Sequence, residues 1–134
     1  MTLTLPFAPT SAGLVRRALQ SWMREQGCSS EHIEDARLVA TELVGNAVRH
    51  ARPIDPGHVL VRWHRDRGAL VLSVSDGGGT SVPQERSVGT RAEGGRGLNI
   101  VSALVQRWWV DRELHRNTVH ALVPLGALVA AGGR

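Results

Sequence analysis

Hydrophobic residues at helical spacing predict two consecutive amphipathic helices in the first part of the chain. The second helix is expected from His32 to Ala51, after a capping signature at Ser30–Glu31 and before the helix-stopping pair Arg52–Pro53. The first helix, with Ser11 as a candidate cap, ends at Gly27. Its apolar residues lie three and four positions apart: Leu14, Val15, Ala18, Leu19, Trp22 and Met23.

Alternation of apolar and polar residues predicts strands on both sides of these helices. Residues 2–7 form a short edge strand, and segments 58–65 and 69–76 form an antiparallel hairpin. Segments 107–114 and 117–125 form a closing hairpin. Helices that follow one another beside antiparallel strands indicate an α+β fold. We expect a two-layer sandwich, with helices on one face of a mixed, mostly antiparallel sheet.

Between the two hairpins the sequence becomes rich in glycine, serine and threonine, from Gly77 to Gly97. A loop this long inside a compact domain is usually functional or disordered. A short helix is expected at 98–105, and the weakly apolar tail 126–134 is expected to fray. With 134 residues the chain suits one domain, with a core of about residues 5–125.

Composition narrows the functional classes. Apolar residues make up 42% of the chain and charged residues 21%, which is typical of a globular protein. Cys28 is the single cysteine, so an intrachain disulfide and a cysteine-based zinc site are excluded. No secretion signal is recognised and no apolar stretch approaches the ~20 residues that span a bilayer, so we expect a cytoplasmic protein without membrane association.

The net charge of +4 raises the question of nucleic-acid binding. All 16 basic residues are arginines, and they are scattered rather than gathered in a run interleaved with aromatic residues. Direct nucleic-acid binding is therefore not expected. The positive charge suits a polyanionic small ligand or an acidic protein partner equally well.

The second predicted helix carries a polar stripe. Glu42 and Asn46 are four positions apart and project from the same face, and Arg49 and His50 continue it. Read alone, the stripe is more typical of a solvated helix face. The chemical interpretation is that the carboxylate and carboxamide supply oxygens to a hard cation such as magnesium.

A second polar group follows the strand 69–76. Asp76 and the glycines after it form a turn, which by itself needs no function. In the functional interpretation, the oxygens of Asp76 accept from the exocyclic amine of adenine, and Gly78 lets the backbone approach the base.

A third group, Gly95-Arg96-Gly97-Leu98, stands at the head of a predicted helix. Glycine turns that enter a helix present free backbone N–H groups to phosphate, although the same turn is also typical of a flexible hinge.

The order and spacing of these groups carry more information than any one of them. A helical ExxxN, then DxG about 30 residues on, then GxGL about 20 residues later, resembles the Bergerat-type (histidine-kinase-like) ATPase superfamily. Asn117-Thr118-Val119 in the last strand resembles the late threonine of that superfamily. Within it, ELVGNAVRHA and GGRGLNIVSAL are similar to the single-domain bacterial anti-sigma-factor serine/threonine kinases, over roughly residues 5–125.

The resemblance implies a Bergerat sandwich that binds ATP and Mg²⁺, and it implies a role for each matching residue. Glu42 would be the general base and Asn46 the magnesium ligand, with Arg49 near the phosphates and His50 near the nucleotide. Asp76 and Thr118 would recognise adenine, and Gly78 would open the base pocket. The turn residues Gly95, Arg96, Gly97 and Leu98 would cover the phosphates, and residues 80–94 would be the ATP lid, ordering with nucleotide.

Two positions depart from the family pattern. Thr80 stands where the glycine box often has its second glycine, and Arg116–Asn117 replaces the Gly-Lys that often precedes the late threonine. The first departure concerns the geometry of the lid and the second the adenine side of the site. Neither removes a catalytic group.

The resemblance also implies regulation by partner switching between a sigma factor and a small antagonist protein phosphorylated on serine or threonine. Three functions remain open from the sequence. The first is a protein serine/threonine kinase, the second an ATP-responsive anti-sigma binding module without kinase activity, and the third a detached histidine-kinase catalytic domain. Relatives commonly dimerise, so a homodimer is one expected state.

Overall fold

The computed structural model describes residues 1–78 and 101–126. Within these ranges two helices and five strands follow the order β, α, α, β, β, β, β. Their bounds are β1 Thr2–Pro6, α1 Ser11–Glu25, α2 Ser30–His50, β2 His58–Asp66, β3 Ala69–Asp76, β4 Arg107–Glu113 and β5 Arg116–Pro124. Residues 101–104 are also helical. In the described part of the chain, no helix is long and apolar enough to cross a membrane.

Local sequence explains where the two long helices begin and end. α1 ends in a Schellman motif: Gly27 has a φ of 81°, and the N–H groups of Gly27 and Cys28 donate to the carbonyl oxygens of Arg24 and Met23. α2 is capped by Ser29, one residue before the predicted Ser30, because the Ser29 Oγ accepts from the backbone N–H of His32 at 3.3 Å.

The strands form one sheet in the order β1-β2-β3-β5-β4, and every described pairing is antiparallel. Both predicted hairpins, β2–β3 and β4–β5, are confirmed. The expected α+β fold with a mostly antiparallel sheet is confirmed, and within it β5 lies between β3 and β4. This insertion makes β3 a central strand, paired on both sides.

The hydrophobic core lies between the sheet and the two helices. α1 and α2 pack against each other, and α2 contributes a buried stripe that contacts β3. The sheet contributes alternate residues whose side chains face the helices: Val59, Val61, Trp63, Leu70, Leu72, Val74, Ala121 and Val123. We call this side of the sheet its inner face and the opposite side its outer face.

Candidate functional site

The polar stripe of α2 lies along the border of its buried face. Glu42 and Asn46 are half-buried, while Arg49 and His50 are exposed in the last turn. Leu43, the neighbour of Glu42, belongs to the core. Within the described ranges the Glu42 carboxylate makes no hydrogen bond or ion pair.

Asn46 already has a partner on its own helix. Its Oδ1 accepts from Nη2 of Arg49 at 3.1 Å. Gly45 leaves the space for this contact, because a Cβ at Gly45 would lie 2.9 Å from Nη1 of Arg49. A cation that uses Oδ1 as a ligand would therefore displace this guanidinium.

Asp76 is a buried carboxylate at the end of β3. It is 6% exposed and projects from the inner face, in line with Leu72 and Val74. Its Oδ1 accepts from the backbone N–H of Gly78 at 2.7 Å. Burial raises the pKa of Asp76 to about 6, and the hydrogen bond from Gly78 opposes part of that rise.

Backbone hydrogen bonds fasten the turn after Asp76 to the segment that follows α2. The N–H of Gly77 donates to the carbonyl oxygen of Arg52, and the N–H of Arg52 donates to that of Gly78, both at 2.7 Å. A Cβ at Gly77 would overlap the carbonyl oxygen of Pro53, so only glycine fits. The end of the ExxxN helix and the DxG turn, separated by about 30 residues in sequence, thus become neighbours.

The late strand presents a different residue to Asp76 from the one expected. In the β3–β5 register Asp76 is opposite Asn117, while Thr118 is opposite Ser75. Side chains alternate between the two faces, so Asn117 shares the inner face with Asp76 and Thr118 projects from the outer face. The Oγ1 of Thr118 lies 2.7 Å from Oγ of Ser75, so the two hydroxyl groups form a hydrogen bond with each other. Thr118 is therefore paired with Ser75 rather than with Asp76.

Asn117 is not among the site residues predicted from the sequence. The available signal was the alternation within β5, because the buried residues Ala121 and Val123 have the same parity as Asn117. The other predicted phosphate-side residues, Gly95, Arg96, Gly97 and Leu98, and the lid segment 80–94 lie outside the described residues.

Comparison with known proteins places this geometry in a family. Residues 5–122 match the family described as histidine kinase-like ATPase domain. The chain belongs to this family. It is similar to the serine-protein kinase RsbW of Listeria innocua, with 32% identity over 117 residues that cover 78% of this chain and 74% of the relative. It is also similar to RsbW of Bacillus licheniformis, with 30% identity over 75% of this chain and 70% of the relative.

The fold has solved counterparts as well. A crystal structure of the RsbU and RsbW domains of a Mycobacterium tuberculosis protein superposes with a TM-score of 0.66 at 23% identity. The superposition covers 93% of this chain and 31% of that longer chain. The expected histidine-kinase-like α+β fold is thereby confirmed, and membership of an ATPase domain family implies ATP binding.

Proposed function

We propose that the chain is a magnesium-dependent serine/threonine protein kinase that phosphorylates a small antagonist protein. It would thereby regulate transcription by switching between two partners, the antagonist and a sigma factor. One observation carries the proposal. The hydrogen bonds between Arg52 and the Gly77–Gly78 turn hold the end of the ExxxN helix beside the turn that follows the buried carboxylate Asp76, so that one nucleotide could contact both. The similarity to serine-protein kinases RsbW supports the reaction and the class of partner.

The adenine side of the proposed site consists of Asp76 and Asn117. The backbone N–H of Gly78 donates to Oδ1 of Asp76, and Oδ2, which has no partner among the described residues, would accept from the exocyclic amine of adenine. Asn117, opposite Asp76 on the inner face, offers an amide that both donates and accepts. We assign to Asn117 the position that the sequence resemblance gave to Thr118.

The metal side consists of Asn46. Among the described residues no group of three or more histidine, cysteine, aspartate or glutamate side chains is arranged to hold a metal. This fits magnesium that arrives with the nucleotide, since Mg²⁺ keeps several waters and is held by few protein oxygens together with phosphates. Asn46 would hold the ion through its Oδ1, the ion would supply charge stabilisation at the phosphates, and the guanidinium of Arg49 would then be placed to contact a phosphate.

Glu42 lies one helical turn before Asn46, and we assign it the role of general base. Its carboxylate, which has no partner among the described residues, would accept the proton of the attacking serine or threonine hydroxyl as the oxygen attacks the γ-phosphorus and ADP leaves. Positioning and charge stabilisation supply most of the catalysis in such a transfer, so few side chains are needed.

Transfer of labelled phosphate from ATP to an antagonist protein tests this assignment. We expect Glu42→Ala to keep ATP affinity within about tenfold and to lower transfer by ~10²–10⁴-fold, the usual range for loss of a general base. Glu31→Ala removes an exposed carboxylate from the first turn of the same helix and should leave both quantities unchanged. If Glu42→Ala lowered transfer only a few fold, Glu42 would not be the base.

A wild-type protein that binds ATP and a sigma factor but phosphorylates no antagonist would contradict the kinase proposal. The chain would then act as an ATP-responsive binding module. Failure to bind ATP in the presence of magnesium, measured by calorimetry, would contradict both functions.

A further inference from the structure

The outer face of the sheet carries a groove of about 520 Å³ that the nucleotide site does not use. Strand register aligns one row of side chains across it: Arg62 of β2, Ser73 of β3, His120 of β5 and Trp109 of β4. We call this surface the outer groove. Asp76 lies on the opposite face of the same sheet, so a molecule in the outer groove would not compete with adenine.

A chain of contacts holds the floor of the outer groove rigid. Nδ1 of His120 lies 2.7 Å from Oγ of Ser73, and its Nε2 lies 2.9 Å from Oδ2 of Asp111. The ring of Trp109 stacks on His120 with centroids 5.0 Å apart and an interplanar angle of 19°. Both imidazole nitrogens are used, so the imidazole and the indole that stacks on it are fixed before any ligand binds.

This serine–histidine–aspartate chain has the order of a hydrolase triad, but its surroundings do not suit hydrolysis. Ser73 lies on a strand that is paired on both sides. Its neighbouring backbone N–H groups are engaged in the sheet and offer no donors for an oxyanion. The network therefore acts as a support for Trp109.

The rim of the outer groove is positively charged. Arg62 and Arg107 are exposed, and the guanidinium carbon of Arg107 lies 4.5 Å from the centroid of the Trp109 ring. No carboxylate of the described residues pairs with either arginine. Among the described residues that line the groove Asp111 is the single carboxylate, and its Oδ2 lies 2.9 Å from Nε2 of His120.

We propose that the outer groove is a docking surface for an acidic segment of a partner protein, with Trp109 as the apolar anchor and Arg62 and Arg107 as the charged contacts. Tryptophan and arginine are the side chains that most often dominate protein interfaces. Arg62 and Trp109 are three strand spacings apart, about 14 Å, which four or five residues of extended chain would span. A second copy of this chain is the less suitable occupant, because a twofold interface would bring the same positively charged surface of both copies together.

Binding of a fluorescein-labelled peptide, Glu-Glu-Thr-Leu-Thr-Leu-Glu-Glu, measured by anisotropy with saturating ATP and Mg²⁺, tests the proposal. We expect Arg62→Glu and Trp109→Ala each to weaken binding at least tenfold. Arg24→Glu makes the same charge change on an exposed residue of α1 and should stay within twofold of the wild type. A peptide with lysines in place of the glutamates should not bind.

Thermal melts and ATP titration of each variant show whether it folds. Trp109→Phe keeps an aromatic ring on His120 and should retain most of the peptide binding. If Arg24→Glu lost as much peptide affinity as Arg62→Glu, the peptide would be attracted by the overall charge of the protein and the proposal would be wrong. The absence of peptide binding by the wild type would also overturn it.

Sedimentation velocity tests whether the outer groove instead binds a second copy of this chain. If Arg62→Glu or Trp109→Ala converts a dimer to a monomer, the outer groove joins two copies of this chain and the proposal is wrong.

Discussion

Among single residues, Asp76 has a carboxyl group whose pKa links burial in the fold to nucleotide binding. Burial raises its pKa to about 6, above the ordinary value of 3.8. The folded protein therefore binds this proton more tightly than the unfolded chain does, and the stability that the group contributes is lost as the pH rises through about 6. The same pKa sets the pH at which the carboxylate can accept from adenine.

We expect ATP affinity to fall by about tenfold per pH unit below 6, because protonation turns the free acceptor oxygen of Asp76 into a donor. Calorimetry between pH 5 and 8 measures this. Asp76→Asn should lose ~1.5–3 kcal/mol of binding free energy at pH 7.5, the cost of a charge-assisted hydrogen bond, and should lack this component of the pH dependence. Parallel profiles for the wild type and Asp76→Asn would show that adenine binds elsewhere.

Substitutions of Asn117 and Thr118, which are adjacent on β5, should change different quantities: ATP affinity for Asn117 and the free energy of unfolding for Thr118. Asn117→Ala removes the polar side chain opposite Asp76 and should weaken ATP binding by about 1 kcal/mol, the net contribution of an ordinary hydrogen bond. Thr118→Val leaves Oγ of Ser75 without its partner on the outer face and should lower the free energy of unfolding by ~1–3 kcal/mol without changing affinity. Urea titration and calorimetry on both variants separate the two effects, and the reverse pattern would restore Thr118 to the adenine site.

At the scale of secondary structure elements, the site depends on how α2 and β3 are joined at their ends. The Gly77–Gly78 turn and the segment after α2 exchange two backbone hydrogen bonds, and this exchange requires close approach of two main chains. The junction therefore determines where Asp76 lies relative to Asn46.

Gly77→Ala should disrupt this junction, because its Cβ would overlap the carbonyl oxygen of Pro53. We expect a loss of ~1–3 kcal/mol in the free energy of unfolding, as for other overpacked sites, and weaker ATP binding. Gly68→Ala is the matched control, since a Cβ there meets nothing within 4 Å. If Gly77→Ala were as stable as Gly68→Ala and bound ATP normally, the junction would not position the site.

At the scale of the whole molecule, nucleotide binding should stabilise the fold, because the unfolded chain has no assembled site. At an ATP concentration 100-fold above the Kd the gain is about 2.7 kcal/mol. For a chain of this length we expect the Tm to rise by roughly 10 °C. Differential scanning calorimetry with EDTA in place of Mg²⁺, and with Asn46→Ala, should show most of this shift removed. A shift of equal size without the metal would contradict a role for magnesium.

The amino-acid sequence alone was enough to predict the local structure of this protein and its family. Helical spacing, the glycine that ends α1 and the alternation in the hairpins are set by neighbours along the chain, so the elements could be predicted within a few residues. The ExxxN and DxG patterns identified Asn46 and Asp76 as candidates, and their spacing indicated the family that the comparison confirmed.

The order of the strands and the face that each side chain occupies became known only from the folded sheet. The insertion of β5 beside β3 is a non-local pairing, and a shift of one residue in its register moves every side chain to the other face. For that reason the sequence led to Thr118, whereas the register places Asn117 opposite Asp76. The same pairing brings together Ser73, His120 and Asp111 from three strands. No local sequence pattern predicts this contact, because strand pairing is determined by packing of the whole sheet.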